Sequence, residues 1–424
     1  MSSTPLATHE SRSQRLVISI APADLLRSMY IIGKTGTGKS ALLLRVLLGA
    51  VEGDFGTCLI DPHGDLATQL LENLPPRHWN RVVYLHPDEH EPPVGLNLLD
   101  PAPGMSRSLV ASGIVEVFRK LWGQTLFGPR SEHILRNAIL ALLSSPSPTL
   151  LGLLRLLVDE RYRMRVVARV SDPVVRTFWL REFTMFDKRF ATEVMAPVLN
   201  KLGALSAPAV RRVVGQVAPR LRLRDVLDEG RILVCDLSGI GRDAAQLLGA
   251  LLVAGIGLAA QSRAGRPEAE RRPFLLAADE FHAYTTLSFA TLLAEGRKFG
   301  LCAALAHQHA AQLDPELRAA ILGNAGTLVS FALSADDAEL LAPEFEPEVK
   351  AEDLVRLRRY TIALRLLRNG EPMRSIECET ISPPPRNGGP PATLLRISRE
   401  RYGRNVEVVD REIGEALGQS CQAA

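Results

Sequence analysis

The chain is 424 residues long, 46% hydrophobic and 23% charged, which excludes a disordered chain, a collagen-like repeat and a disulfide miniprotein and leaves room for about two or three domains. Its 50 Lys and Arg against 47 Asp and Glu leave a formal net charge of +3, a balance that by itself argues neither for nor against nucleic acid. Five widely spaced cysteines, Cys58, Cys235, Cys302, Cys378 and Cys421, show no metal-ligand spacing and fit a reducing compartment.

Residues 1–15 are polar and contain no apolar signal core. Residues 29–32 form a short apolar run that reads as a strand, followed by a glycine-rich loop and a helical stretch over 41–50. Further strand-like runs cover 57–60 and 81–85. From about 106 to 224 the pattern is helical almost throughout; in 131–143 the apolar residues Ile134, Leu135, Ala138, Ile139, Leu142 and Leu143 fall on one helix face. Strand signals return at 232–237, 274–278, 301–306, 327–333 and 361–367. The last should pair with 373–379 around Asn369-Gly370, a favoured two-residue turn. Strands alternating with helices imply an α/β fold with a doubly wound, mostly parallel sheet, interrupted by an all-α insertion. Five prolines and two glycines between 382 and 393 read as a linker before a short helical tail.

Residues 244–262 carry no charge and approach the length of a membrane span. They lie between two strand-like runs of one sheet and are diluted by Gln246, Gly249, Gly255 and Gly257, so a buried crossover helix, and no integral membrane segment, is expected.

Gly33, Lys34, Thr35, Gly36, Thr37, Gly38, Lys39 and Ser40 spell G-x-x-x-x-G-K-[ST] between a strand and a helix. Glycines let the backbone wrap a polyphosphate with its N–H groups inward, and the following helix adds its positive N-terminal dipole. Lys39 is expected to bridge the β- and γ-phosphates of ATP, and Ser40 to ligate Mg²⁺. The apolar strand 274–278 ends in Asp279 and Glu280: Asp279 suits a Mg²⁺ partner and Glu280 a general base for the attacking water. Gln308 lies just past the next strand, at the sheet edge where ligands bind, where its amide can sense the γ-phosphate. His307 and His309 read as loop histidines without a third metal ligand. Asp61, after the strand 57–60, is either a contact to Mg²⁺-bound water or a capping turn residue.

These motifs, GKTGTGKS, DPHGDL, VGLNLLDP, FGPRSEHILRNAILALL, LLAADEFHAY, AEGRKFGL and LAHQ, occur in that order. Together they resemble the HerA–FtsK class of P-loop ATPases, and within it the TraD/TraG-type coupling proteins of type IV secretion and conjugation. The resemblance covers most of residues 16–380. It implies a RecA-like motor domain interrupted by an all-α domain, and a hexameric, DNA-dependent ATPase. It also implies that Arg297, eleven residues before Gln308, acts as an arginine finger on the neighbouring subunit's nucleotide, with Lys298 second; the alternative is a solvated helix-end cation pair. Membrane-anchored coupling proteins carry N-terminal transmembrane helices, whereas the motor here starts by residue 16; a soluble relative is therefore expected.

Residues 106–225 hold 20 Lys and Arg against 9 Asp and Glu. Arg211, Arg212, Arg220, Arg222 and Arg224 lie within fourteen residues that contain no acid, the expected footprint of a phosphate-backbone or partner surface. The rival reading is that these arginines pair with the acidic motor lobe or coat solvated helices.

The domain plan expected is a first RecA-like part over 16–105, an all-α insertion over 106–225, a second RecA-like part over 226–381, and a linker and tail over 382–424. The expected activity is an ATP-hydrolysing DNA translocase, cytoplasmic or held at the inner membrane through a partner, with a relaxase or secretion-channel protein as possible company. The rival functions are a secretion ATPase for protein cargo, a HerA-like helicase in DNA end processing, and a nucleotide-gated scaffold.

Overall fold

A computed structural model describes residues 3–11, 14–100, 105–126, 128–186, 196, 199–200, 202–285, 288–383 and 388–417. Its strands are β1 (Thr4–Ser11), β2 (Gln14–Ile20), β3 (Met29–Ile32), β4 (Gly56–Asp61), β5 (Val82–Leu85), β6 (Ile232–Asp236), β7 (Phe274–Ala278), β8 (Leu301–His307), β9 (Thr327–Ser330), β10 (Thr361–Arg365), β11 (Leu367–Arg368), β12 (Glu371–Pro372) and β13 (Ile376–Thr380). All but β11 and β12 join one 11-stranded sheet in the order β2-β1-β13-β10-β9-β3-β8-β7-β4-β6-β5.

The centre of this sheet is parallel: β9, β3, β8, β7, β4 and β6 run the same way. Every residue of β3, β4, β6, β7, β8 and β9 is buried, as a parallel sheet covered on both faces requires. The helix Lys39–Glu52 sends Leu42, Leu43, Leu44, Val46 and Leu47 into the same core. A run apolar on nearly all sides is stable only where it is enclosed, so the composition of 41–50 already dictates a core helix.

The antiparallel flank is built by the C-terminal strands. β10 pairs with β13 in the register Thr361↔Glu379 to Leu364↔Ile376, the hairpin expected around Asn369-Gly370. At the turn itself φ is positive at both Asn369 and Gly370, and β11 pairs with β12. The N-terminal hairpin β1–β2 lies outside the sequence expectation. A register shift between Pro5 and Ala7 puts Leu6 and Ala7, adjacent in sequence, both in the core, so the period-two signal is lost.

The chain forms two compact units, and their boundaries differ from those expected. The sheet unit is Met1–Tyr84, Asp225–Ser238 and Arg263–Ile397; the helical unit is Leu85–Arg224, Gly239–Ser262 and Ser398–Ala424. Two segments, one read as part of the motor and one as a short helical tail after a linker, thus belong to the helical unit. The first contains the helix Arg242–Gln261, which packs on the helix Arg107–Leu126. It is apolar enough to cross a membrane by length and composition, and 78% of its most apolar window is buried. Its all-round apolar surface is satisfied by neighbouring helices, as helices of this kind in soluble cores are.

The second segment is the C-terminal tail. Val409 and Ile413 of the helix Val406–Ala416 are buried, and Arg212 grips Asp410 with two hydrogen bonds of 2.9 and 2.7 Å. Arg220 donates to the carbonyls of Glu400 and Gly403 at 3.2 and 2.9 Å, satisfying carbonyl groups at and just past the end of a helix. Arg404 pairs with Glu412 at 2.7 Å.

Candidate functional site

Loops leaving the C-terminal ends of β3, β4, β7 and β8 share one sheet edge, because the registers Ile32↔His307 and Ile60↔Ala278 place these strand ends side by side. An open parallel sheet binds its ligand at this edge. The loop from Gly33 to Gly38 leads into the helix Lys39–Glu52 there. The Lys39 ammonium folds back over the loop and donates to the carbonyls of Gly33 and Lys34 at 2.7 and 3.0 Å. Burial lowers its pKa, and the nearby carboxylates of Asp279 and Glu280 oppose that shift.

Gly38 has φ of +125°, and a Cβ there would lie 2.8 Å from Tyr360 Cδ1 and 3.0 Å from Phe331 Cε1. Both the backbone and the close packing therefore demand glycine. Replacing Gly38 by Ala should destabilise the chain by about 2–3 kcal/mol, read as a lower urea midpoint at unchanged m-value.

The acidic pair follows β7. The Ser40 hydroxyl donates to Asp279 Oδ2 at 3.1 Å, and the Glu280 N–H donates to Asp279 Oδ1 at 3.0 Å. Asp279 is buried, and its pKa is raised by that burial first and by the Glu280 charge second; the Ser40 hydrogen bond opposes both. A carboxylate that burial and a like charge disfavour, touching a hydroxyl beside a phosphate loop, is a site that a divalent cation would relieve. Ser40 and Asp279 thus fit Mg²⁺.

Glu280 adopts the left-handed conformation, φ +46°, where side chains other than glycine are uncommon. That turn aims its carboxylate along the sheet edge. Gln308 Nε2 donates to Glu280 Oε1 at 2.5 Å, and Thr35 Oγ1 donates to Gln308 Oε1 at 2.9 Å. Gln308 therefore bridges the phosphate loop to Glu280. His282 Nδ1 lies 3.4 Å from Glu280 Oε2, a neighbour the sequence motif did not mark.

Other expected residues take different places. Asp61 accepts from the N–H groups of His63 and Ala67, both at 2.9 Å, which is the capping role of the two readings left open. His307 is not a loop histidine but the fully buried last residue of β8. It shares a 2.6 Å hydrogen bond with the Tyr30 hydroxyl, and burial pushes its pKa down to about 3. His309 instead sits on the exposed side and pairs with Asp337 at 3.1 Å. Among the described residues no group of three His, Cys, Asp or Glu can hold a metal ion.

Arg297 and Lys298 precede β8 and so stand at the opposite, N-terminal edge of the parallel strands from the phosphate loop. Both are exposed. Arg297 lines a cavity of about 460 Å³ with Arg27, Leu293, Asn324 and Arg365. The turn is braced from below: Arg263, wholly buried and paired with Asp228 at 2.9 Å, donates to Phe299 O at 3.1 Å, and Arg271 donates to Lys298 O.

The five arginines expected to face DNA or a partner do not form one free surface. Arg212 and Arg220 hold the tail helices, Arg224 donates to Ser262 Oγ, and Arg222 approaches Asp100 at 3.9 Å with both side chains largely exposed. Arg211 is half-buried beside Asp410. Local acids and carbonyls have taken much of the charge that the sequence leaves unpaired.

No curated protein matches the chain. A family model described as the Type IV secretion-system coupling protein DNA-binding domain matches residues 237–345, the stretch that holds Asp279, Glu280, Arg297 and Gln308. Among solved structures, the bacterial conjugative coupling protein TrwBdeltaN70 in its unbound form aligns with a TM-score of 0.63 and 16% identity, over 88% of this chain and 89% of that one. TrwB in complex with the non-hydrolysable ATP analogue ADPNP aligns with a TM-score of 0.63 and 17% identity, over 92% and 96%. VirB4 of Thermoanaerobacter pseudethanolicus aligns with a TM-score of 0.57 and 13% identity, over 90% and 97%. At these identities the alignments establish the fold, a RecA-like α/β sheet with a helical unit. Residues 237–345 thus match a coupling-protein domain model in a chain that shares the TrwB fold, and the TraD/TraG-type resemblance carried by the motifs holds.

Proposed function

We propose that the chain is an ATPase of the conjugative coupling type that couples hydrolysis to DNA movement in a hexameric ring. The carrying observation is the convergence at one sheet edge of Lys39, the Ser40–Asp279 pair and the Thr35–Gln308–Glu280 chain of hydrogen bonds. Lys39 and the loop N–H groups bind the phosphates, and Ser40 and Asp279 hold Mg²⁺, which supplies charge neutralisation when bound. Glu280 takes the proton of the attacking water, and Gln308 orients that water while touching the loop. TrwB has been solved with ADPNP and with ADP and Mg²⁺, in keeping with these ligands.

The DNA half of the reading is supported by the family model over 237–345 and by the basic balance of 106–225. Wild-type chain should hydrolyse ATP faster when DNA is added, and Lys39→Ala should abolish both rates. An unstimulated rate in intact hexamers would end the translocase reading. Protein cargo is the second reading, favoured by the tail's occupation of Arg212 and Arg220. Capture of a relaxase, but not DNA, by the full chain would establish it. The expected place of work is the cytoplasm, or the inner-membrane surface through a secretion-channel partner.

A further inference from the structure

The chemistry described above occupies one flank of the phosphate loop. Gln308 follows β8 and Glu280 follows β7, both on the same side of β3 in the sheet order. The other flank is made by β9 and β10, and it carries an arrangement the motifs do not mention. Tyr360, immediately before β10, lies directly against the loop: its N–H donates to Thr37 O at 2.9 Å, and its Cδ1 is 2.8 Å from where a Cβ on Gly38 would stand.

Tyr360 is held in the left-handed region, φ +67°. The turn closes with Thr361 N donating to Arg358 O at 3.0 Å, and glycine or asparagine is the ordinary residue at such a position. The Tyr360 carbonyl is clamped by Thr380, whose N–H and hydroxyl donate at 2.8 and 3.0 Å. The backbone is thus forced, at a cost of about 1 kcal/mol, to present an aromatic ring where a glycine would relax the strain. The ring is not used for packing the core: Tyr360 is 40% exposed. Arg359, also exposed, lays its guanidinium 4.7 Å from the ring centroid.

Because Gln308 and Glu280 lie on the β8–β7 side of β3, a nucleoside triphosphate with its γ-phosphate there and its other phosphates along the loop would extend its nucleoside toward the β9–β10 side. We propose that the Arg359–Tyr360 stack is the nucleobase wall of this site, accepting the flat face of the base against the guanidinium and ring. This rests on the nucleotide-binding reading above and adds to it the part of the ligand that the loop motif does not specify. A base stacked face-on leaves its hydrogen-bonding edges clear of both groups, and stacking suits any base, so ATP and GTP should bind within a few-fold of each other.

The test compares ligands with and without a base. Tyr360→Gly suits the left-handed backbone and removes only the ring; Tyr360→Phe keeps the ring. For wild type, Tyr360→Gly, Tyr360→Phe and Lys39→Ala, binding of ATP and of inorganic tripolyphosphate is measured by calorimetry with the full chain. Expected is a roughly ten- to hundred-fold weaker ATP affinity in Tyr360→Gly, an unchanged tripolyphosphate affinity, and near wild-type ATP binding in Tyr360→Phe. Parallel weakening of both ligands in Tyr360→Gly would mean the ring only shapes the loop and would overturn the proposal, as would unchanged ATP affinity. Wild type binding neither ligand would instead overturn the nucleotide reading, and the wall with it.

Discussion

Replacing Glu280 by Gln should lower the ATPase rate by about 10²–10³-fold while leaving ATP affinity within a few-fold of wild type. The amide is nearly isosteric, so the left-handed turn at Glu280 and the Gln308 contact can persist, while the oxygen that takes the proton is lost. The converse follows from its neighbours. Gln308 donates to Oε1 and His282 stands 3.4 Å from Oε2, so the carboxylate is held from two sides. Gln308→Ala removes one of those holds and the link to Thr35 together, and should cost less in rate than removal of the carboxylate itself. Single-turnover hydrolysis beside equilibrium binding separates the two effects. A Glu280→Gln chain that turns over ATP at the wild-type rate would remove Glu280 as the base.

How much of this was legible beforehand depends on the kind of signal. The phosphate loop and the acidic strand end were readable because chemistry demands fixed residue types at fixed spacing: Lys39, Ser40, Asp279 and Glu280 lie where the motif puts them, joined by the Ser40–Asp279 hydrogen bond. The central strands were readable because they are uniformly apolar. Charge was less informative. The arginine run at 211–224 looks unpaired in sequence, yet Asp410 and the carbonyls of Glu400 and Gly403, about 180 to 200 residues away, bind two of its members. Such long-range pairing leaves no local trace. The buried place of His307 was hidden for a different reason: its partner Tyr30 is on β3, and a histidine at a strand end looks the same whether it faces solvent or core. Tyr360 is a residue that breaks a local rule, a tyrosine where a turn prefers glycine, and this could have drawn notice had the turn been placed from sequence.

The ring proposed for this chain makes a second, separable prediction. Arg297 stands at the strand edge opposite to the phosphate loop of its own subunit, so in the proposed ring it would reach only a neighbour's nucleotide. Arg297→Ala should therefore lower the ATPase rate by on the order of 10³-fold without weakening ATP binding, because an arginine finger stabilises charge that develops in the transition state. Alone, that loss has a rival cause in disturbance of the turn. The rival is limited by the bracing of this turn through the carbonyls of Lys298 and Phe299, which do not depend on the Arg297 side chain. Mixing resolves it. Lys39→Ala subunits keep Arg297 but cannot turn over ATP; Arg297→Ala subunits keep the phosphate loop but lack the finger. In randomly mixed rings with equal numbers of the two, about a quarter of interfaces join a sound loop to a sound finger, and the mixture should recover about that share of the wild-type rate if interfaces act independently. Recovery from two inactive proteins requires a site shared between subunits, which no cis role of Arg297 and no damaged fold can produce. A mixture as inactive as its parents, with rings confirmed by sedimentation, would return Arg297 to the class of solvated surface cations.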